Sequence, residues 1–410
     1  MTTSVSSPAD RAPGFVEFVA LIALMMSIIA LSIDNLLPAF VPIQQEFRLA
    51  SANDAQYIIA SYMAGFAVSQ LFYGPLADAV GRRPAMILGM AIYLVGTVVA
   101  IAATSFEILL AARVVQGVGA AASRVLVATI VRDRYQGEEM ARVMSFVMMV
   151  FIIGPVVAPG SGALILLVGS WRLIFVGMLL LALVIGAWFL LRMPETLRPE
   201  NRVPLSLRTM WNGARTCVGN RTTLGYTIAG SLLLGSLMGY ISSAQQIFET
   251  DVYALGGWFS LVFGVVAAVM GLAAFVNARI VRRVGLERLS WWGALAFMLT
   301  ALVNVVVVLA WDGPPPLLLF AGLLGALNFI FSLAVPNFNA LALRPMGHIA
   351  GLASSFVGTV TTALSALFGV IIGQLYDGTV LPLALGYLVL GAAGVGVVMW
   401  TRADNAGKTK

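Results

Sequence analysis

Residues 74–84 read Gly74-Pro75-Leu76-Ala77-Asp78-Ala79-Val80-Gly81-Arg82-Arg83-Pro84, and a long apolar stretch lies on either side. The glycines and prolines make a tight turn. Asp78 and the arginine pair set opposite charges a few residues apart. A carboxylate at the end of one apolar segment, beside Arg82 and Arg83, can bridge to another helix end and hold a gate closed. Gly74, Asp78, Gly81, Arg82, Arg83 and the downstream Arg132 are therefore candidate gating residues. A Gly-Pro turn with arginines also suits any short loop at a membrane surface; Asp78 sets this one apart.

The flanking segments are typical of the whole chain. Its 410 residues are 60% hydrophobic and 10% charged, against about 25% charged in soluble proteins. Mean hydropathy is +0.96, which places the chain among polytopic membrane proteins and leaves no room for a sizeable soluble domain. The formal net charge of +6 fits basic membrane-surface loops, and no nucleic-acid partner is expected. Cys217 and His348 are the only residues of their kinds. They exclude disulfides within the chain and argue against a metal enzyme. The first apolar stretch is too long for the core of a cleavable signal.

Hydropathy predicts twelve spans, at 15–43, 55–77, 84–104, 107–131, 139–166, 170–192, 222–246, 255–278, 289–310, 316–342, 348–375 and 380–401. The fold class is all-α, with two pseudo-symmetric six-helix bundles over 15–192 and 222–401. A cytoplasmic linker is expected over 193–221, with cytoplasmic tails over 1–14 and 402–410. With the N-terminus inside, 20 of the 24 basic residues fall on the cytoplasmic side, Arg11, Lys408 and Lys410 among them. Arg48 and Arg172 fall outside, and Arg113 and Arg124 lie within span four. The Gly74 segment has a weak echo 204 residues on, at Ala278-Arg279-Ile280-Val281-Arg282-Arg283-Val284-Gly285, where Arg282 replaces Asp78. Six-span parallel repeats suit a transporter with its site between the halves.

Charges inside the membrane need a partner or water. Asp34 lies in the outer half of span one, within Leu31-Ser32-Ile33-Asp34-Asn35-Leu36-Leu37-Pro38. A carboxyl that alternates between dry and wet surroundings can carry a proton or meet a substrate. It can equally cap a helix break before Pro38. Arg113 enters span four about 9 Å from its outer end, and Arg124 follows eleven residues later, about 20° away on the same face. That face must look into the bundle. Either arginine can serve proton coupling or substrate, or bond backbone carbonyls or Gln116. In span five, Gly154, Pro155, Pro159, Gly160 and Gly162 can form a hinge that kinks or unwinds the helix, or a close-packed seam. Tyr62, Met63, Phe66, Tyr240 and Gln245 are candidate substrate contacts, although such residues are commonly plain packing.

Together these stretches resemble the major facilitator superfamily. Residues 74–84 look like its loop motif G-x-L-A-D-R-x-G-R-[RK]-P. Arg113-Val114-Val115-Gln116-Gly117 resembles the R-x-x-Q-G motif of its proton antiporters. Ala158-Pro159-Gly160-Ser161-Gly162-Ala163 is similar to the span-five antiporter motif G-P-x-x-G-G, with its glycines displaced. Ser32-Ile33-Asp34-Asn35-Leu36-Leu37-Pro38-Ala39 is similar to the S-I-D-M-Y-L-P-A stretch of the Bcr/CflA drug exporters. Arg132-Asp133, Met144 to Met148, Pro194-Glu195-Thr196-Leu197 and Ala350 to Ser355 look like the same subfamily.

The resemblance implies proton-driven export of chloramphenicol- or bicyclomycin-like drugs across a bacterial inner membrane. It implies Asp34 as the proton and substrate site, Arg113 as a coupling partner, and the loop as a gate. Ala79 stands where the motif has a basic residue, so the gate is expected to lean on Arg82, Arg83 or Arg132. Arg124 belongs to none of these motifs. The partners expected are lipid, protons and a small drug or metabolite, for a monomer with no cofactor beyond the proton gradient and no enzymatic activity. The alternative reading is a metabolite exporter, uniporter or symporter on the same fold.

Overall fold

Apolar segments in lipid must satisfy every backbone N–H and C=O internally, which leaves the helix as the open-chain solution. The computed structural model describes residues 13–407, excepting the side chains at 141, 148, 150–152 and 404–407. Among the described residues there is no strand, and twelve long helices follow one another. They are α1 (Phe15–Asp34), α2 (Tyr57–Val80), α3 (Arg82–Ile101), α4 (Phe106–Arg134), α5 (Gly137–Val168), α6 (Arg172–Arg192), α7 (Arg221–Ala244), α8 (Phe259–Val284), α9 (Leu286–Ala310), α10 (Leu317–Leu343), α11 (Ala350–Gln374) and α12 (Leu381–Gly407). Among the described residues nine apolar stretches are long enough to cross a membrane, the longest of them, Leu317–Gln374, holding two helices. The tyrosine- and glutamine-bearing α2 falls below that hydropathy.

Each half packs within itself, and the two halves pack alike. In the first, α4 lies against α2, α3 and α1, while α5 lies against α1 and α6 against α3. Adding six to each helix number reproduces the contacts of the second half. The seam between halves follows the same rule, with α2 on α11 and α5 on α8. The echoed turns agree: Gly81 and Gly285 each join two helices at φ +111° and +85°, a region that favours glycine.

Several boundaries depart from the sequence expectation. Span one is two helices, broken after Asp34 and resumed at Phe40–Phe47, because Pro38 has no N–H to continue the ladder. The linker contains a helix, Leu207–Gly219, whose Cys217 is buried beside Met346 and Ala353. Burial pushes that thiol above its usual range. The expected tail at 402–410 is helical through Gly407, and the N-terminal tail lies outside the described residues up to 12. The α5 helix is continuous through Pro155 and Pro159 and is nowhere unwound. Gly154 meets Ala30 of α1 and Gly162 the Asn35 carbonyl just beyond it, while Gly160 has open space.

Helix α4 is the axis of the first half because small residues let backbones meet there. A methyl group at Gly117 would collide with the Tyr62 carbonyl, and one at Gly65 with the Val114 carbonyl. Gly96 and Gly119 do the same for α3 against α4. Gly117→Val is expected to destabilise the protein by about 3 kcal/mol and lower its midpoint in detergent thermal unfolding. Gly322→Ala, with open space around it, should leave that midpoint unchanged.

Candidate functional site

The helix break in α1 creates the site. Leu36 N–H turns back to the Ile33 carbonyl at 3.4 Å, one residue short of the α-helical partner. The Ser32 carbonyl is thereby freed, and Arg113 Nη2 donates to it at 2.8 Å. Arg113 Nε donates to the Ile58 carbonyl at 3.1 Å, and Nη1 donates to Gln116 Oε1. Gln116 in turn donates to Thr97 at 2.8 Å, and Ser32 Oγ shares a 2.7 Å bond with Tyr93. One fully buried guanidinium thus ties α1, α2, α3 and α4 together. Its face lies 4.4 Å from the Tyr62 ring centroid.

Asp34 ends α1 and is 4% exposed. Among the described residues its carboxylate makes no hydrogen bond or ion pair. Arg113 does not reach it; the link between them is the two-residue step to Ser32. From the second half, Tyr240 lies within electrostatic reach of Asp34. Among the described residues the hydroxyls of Tyr62 and Tyr240 and the amide nitrogen of Gln245 are buried without a hydrogen-bond partner. Tyr62 stacks on Phe66, and Tyr240 on Phe263. Met63 is buried beside them. The candidate contacts thus supply three unused polar atoms among aromatic surfaces.

The span-five residues close on this break. Ser161 donates to the Asn35 side chain at 3.0 Å, Gly162 rests on the Asn35 carbonyl and Gly154 on Ala30. Gly160 has nothing against it. Gly154 and Gly162 are thus close-packed positions on a helix that runs unbroken past both prolines.

The two ends of the molecule differ. At the arginine-rich end, Arg82 pairs with Asp78 and, at 3.0 Å, with Asp133. Glu195 of the linker accepts from the backbone N–H groups of Arg82 and Arg83 at 3.0 and 3.1 Å. A carboxylate at a helix N-terminus complements its unsatisfied donors and dipole. Arg83 donates to the Leu190 carbonyl. The network joins α2, α3, α4 and the linker of one half and does not cross to the other. Asp133 and Glu195 were quoted among the motif residues without a role; their sequence signal was a carboxylate beside each basic turn. Arg132 and Arg124 line a cavity between α2, α4 and α11. A larger cleft of about 990 Å³ lies within the second half, away from the seam.

At the opposite end the halves are clasped by uncharged groups. Asn53 Nδ2 donates to the carbonyls of Gln374 and Tyr376 at 3.3 and 3.0 Å. Gln246 donates to the Asn53 side chain at 2.7 Å, and Gln56 to Gln246 at 2.6 Å. Gln374 donates to the Asn53 carbonyl at 2.9 Å. The sequence carries no signal for this clasp, because three of its four side chains sit at span ends, where polar residues are ordinary.

Twelve long helices in two repeated halves, with a buried carboxylate and unused polar atoms of both halves among their aromatic residues, have the architecture of a membrane transporter. A sequence profile of the Major Facilitator Superfamily matches residues 22–370, and the chain belongs to that superfamily, which is one of transporters and not of enzymes. It is 28% identical over 370 residues to the bicyclomycin resistance protein homolog of Haemophilus influenzae, covering 89% of this chain and 91% of that one. It is 28% identical to multidrug resistance protein D of Escherichia coli, covering 84% and 85%. The chloramphenicol resistance protein of Pseudomonas aeruginosa is 27% identical, with 84% and 79% covered. A D-xylose–proton symporter superposes with a TM-score of 0.73 at 14% identity, covering 95% and 97% of the two chains. A peptide transporter does so at 0.75 and 13%, covering 96% of each, and these two likenesses concern the fold alone.

Asn53→Ala removes three of the five clasp bonds and should open the far end more often. In a Cys217→Ser background carrying a cysteine at Tyr240, labelling by a water-soluble maleimide is expected to accelerate about tenfold. An unchanged rate would mean that the clasp does not hold the seam.

Proposed function

We propose that this protein is a proton-coupled antiporter that exports small amphipathic drugs by alternating access. The arginine-rich end then faces the cytoplasm, with both termini inside, as basic-residue bias favours. The membrane is the bacterial inner membrane. Relatives named for resistance to bicyclomycin, chloramphenicol and multiple drugs support export of that class of compound. The energy source is the proton gradient, no further cofactor is needed, and the chain acts as a monomer.

One observation carries the reading: a buried carboxylate without a partner stands at the break in α1, facing the second half. Asp34 cannot easily be ionised, unpaired and dry at once. With the far end open it takes a proton and substrate leaves. With the cytoplasmic end open the proton leaves and substrate binds. Arg113 contributes by fixing the break, since its three bonds hold the Ser32 carbonyl and the first turn of α2. The paired Asp78, Arg82 and Asp133 brace the cytoplasmic ends of α2, α3 and α4 so that the half moves as a body.

The test uses everted membrane vesicles with an acidified lumen and chloramphenicol as the probe. Wild type is expected to raise lumenal pH on chloramphenicol addition and to protect a pump-deficient host. Asp34→Asn should do neither while reaching the membrane in normal amount. Normal uphill export by Asp34→Asn would remove Asp34 from the mechanism. Alkalinisation of the medium would point to symport.

A further inference from the structure

The cavity between α2, α4 and α11 has a volume of about 250 Å³ and opens at the arginine-rich end. Three arginines and one aspartate line it: Arg82, Arg124, Arg132 and Asp78. Arg82 is nearly buried and is held by Asp78 and Asp133, so Asp78 is answered as well. Arg124 and Arg132 are different. Among the described residues neither makes a hydrogen bond, ion pair or ring contact, and both side chains are exposed to the cavity. The lining therefore holds two unanswered guanidiniums and no unanswered carboxylate.

Arg124 lies ten residues from the end of α4 at Arg134, about 15 Å along the helix. A guanidinium at that depth is costly to insert unless water or an anion reaches it. The rest of the lining mixes small and apolar residues, among them Val125, Ala128 and Leu352, with the polar side chains of Gln70, Thr129, Ser354 and Ser355. A small ring with one negative group and hydrogen-bonding edges fits such a lining. The planar fork of arginine matches a carboxylate in particular.

We propose that Arg124 is a specificity-determining residue that receives a carboxylate on an aromatic substrate at the cytoplasmic side, assisted by Arg132. This deepens the exporter reading and rests on it for orientation. The cavity admits the anion first, and Asp34, which is not on its lining, acts later and separately. Substrates with an acidic group are then loaded in preference to their uncharged analogues.

Isothermal titration of the full chain in nanodiscs of zwitterionic lipid tests this, with 4-nitrobenzoate and 4-nitrobenzamide as the probes. Wild type is expected to bind the benzoate about tenfold more tightly than the amide. Arg124→Gln should erase that preference without weakening the amide, whose binding also reports that the variant is folded. Arg124→Lys should keep part of the preference. Equal affinities in wild type, no measurable benzoate binding, or a preference that survives Arg124→Gln would each overturn the proposal. Asp34→Asn should retain the full preference, so a failure of the antiport reading leaves this result separately legible.

Discussion

A fully buried guanidinium must have its donors satisfied, and the first half of this molecule is arranged around that requirement at Arg113. Truncating one side of a buried charged network costs about 3–5 kcal/mol, more than any single packing contact nearby supplies. Arg113 meets the requirement without a carboxylate. Its donors go to the Ser32 and Ile58 carbonyls and to Gln116. The Ser32 carbonyl is available only because α1 breaks at Asn35. The break and the arginine are thus one feature seen from two helices. Arg113 is thereby committed away from Asp34, whose carboxylate has no partner among the described residues.

Hydrogen bonds cross the seam at the far end and at Gln70, which donates to Thr362 at 2.9 Å. At the far end five bonds between uncharged groups hold the halves. Each is worth about 0.5–1.5 kcal/mol net, so together they amount to a few kcal/mol. One elementary charge moved through 100 mV contributes about 2.3 kcal/mol. The two quantities are comparable, so moving a single proton can bias which end is open. At the basic end Asp78, Arg82 and Asp133 pair within one half, and among the described residues Arg124 and Arg132 stay unpaired. In the proposed cycle a neutral clasp stands opposite a charged vestibule.

The fold was legible because it follows from apolar length, loop charge and the half-length echo, all of which are one-dimensional. Gly81 and Gly285 share a strained turn geometry that the echo anticipated. Asp34 and Arg113 stood out because charge is rare in apolar segments. Their relation was not legible, since it depends on which carbonyl loses its helical partner. Of the three arginines the sequence offers to Asp78, Arg82 is the one paired with it, while Asp133 and Glu195 have no role in the sequence reading, because pairing across α2, α4 and the linker needs the turn geometry. The span-five prolines suggested a break, yet α5 stays helical, its glycines instead admitting Asn35 and Ala30. The Asn53 clasp lay at span ends, where polarity carries no signal of its own.

The account turns on Asp34 exchanging a proton for substrate. Proton release on substrate binding is its most direct measure. Purified protein in weakly buffered detergent solution, mixed with chloramphenicol in the presence of a pH-sensitive dye, is predicted to release about one proton per bound molecule, and Asp34→Asn to release none. Equal release from both proteins, or none from wild type despite binding, would contradict it.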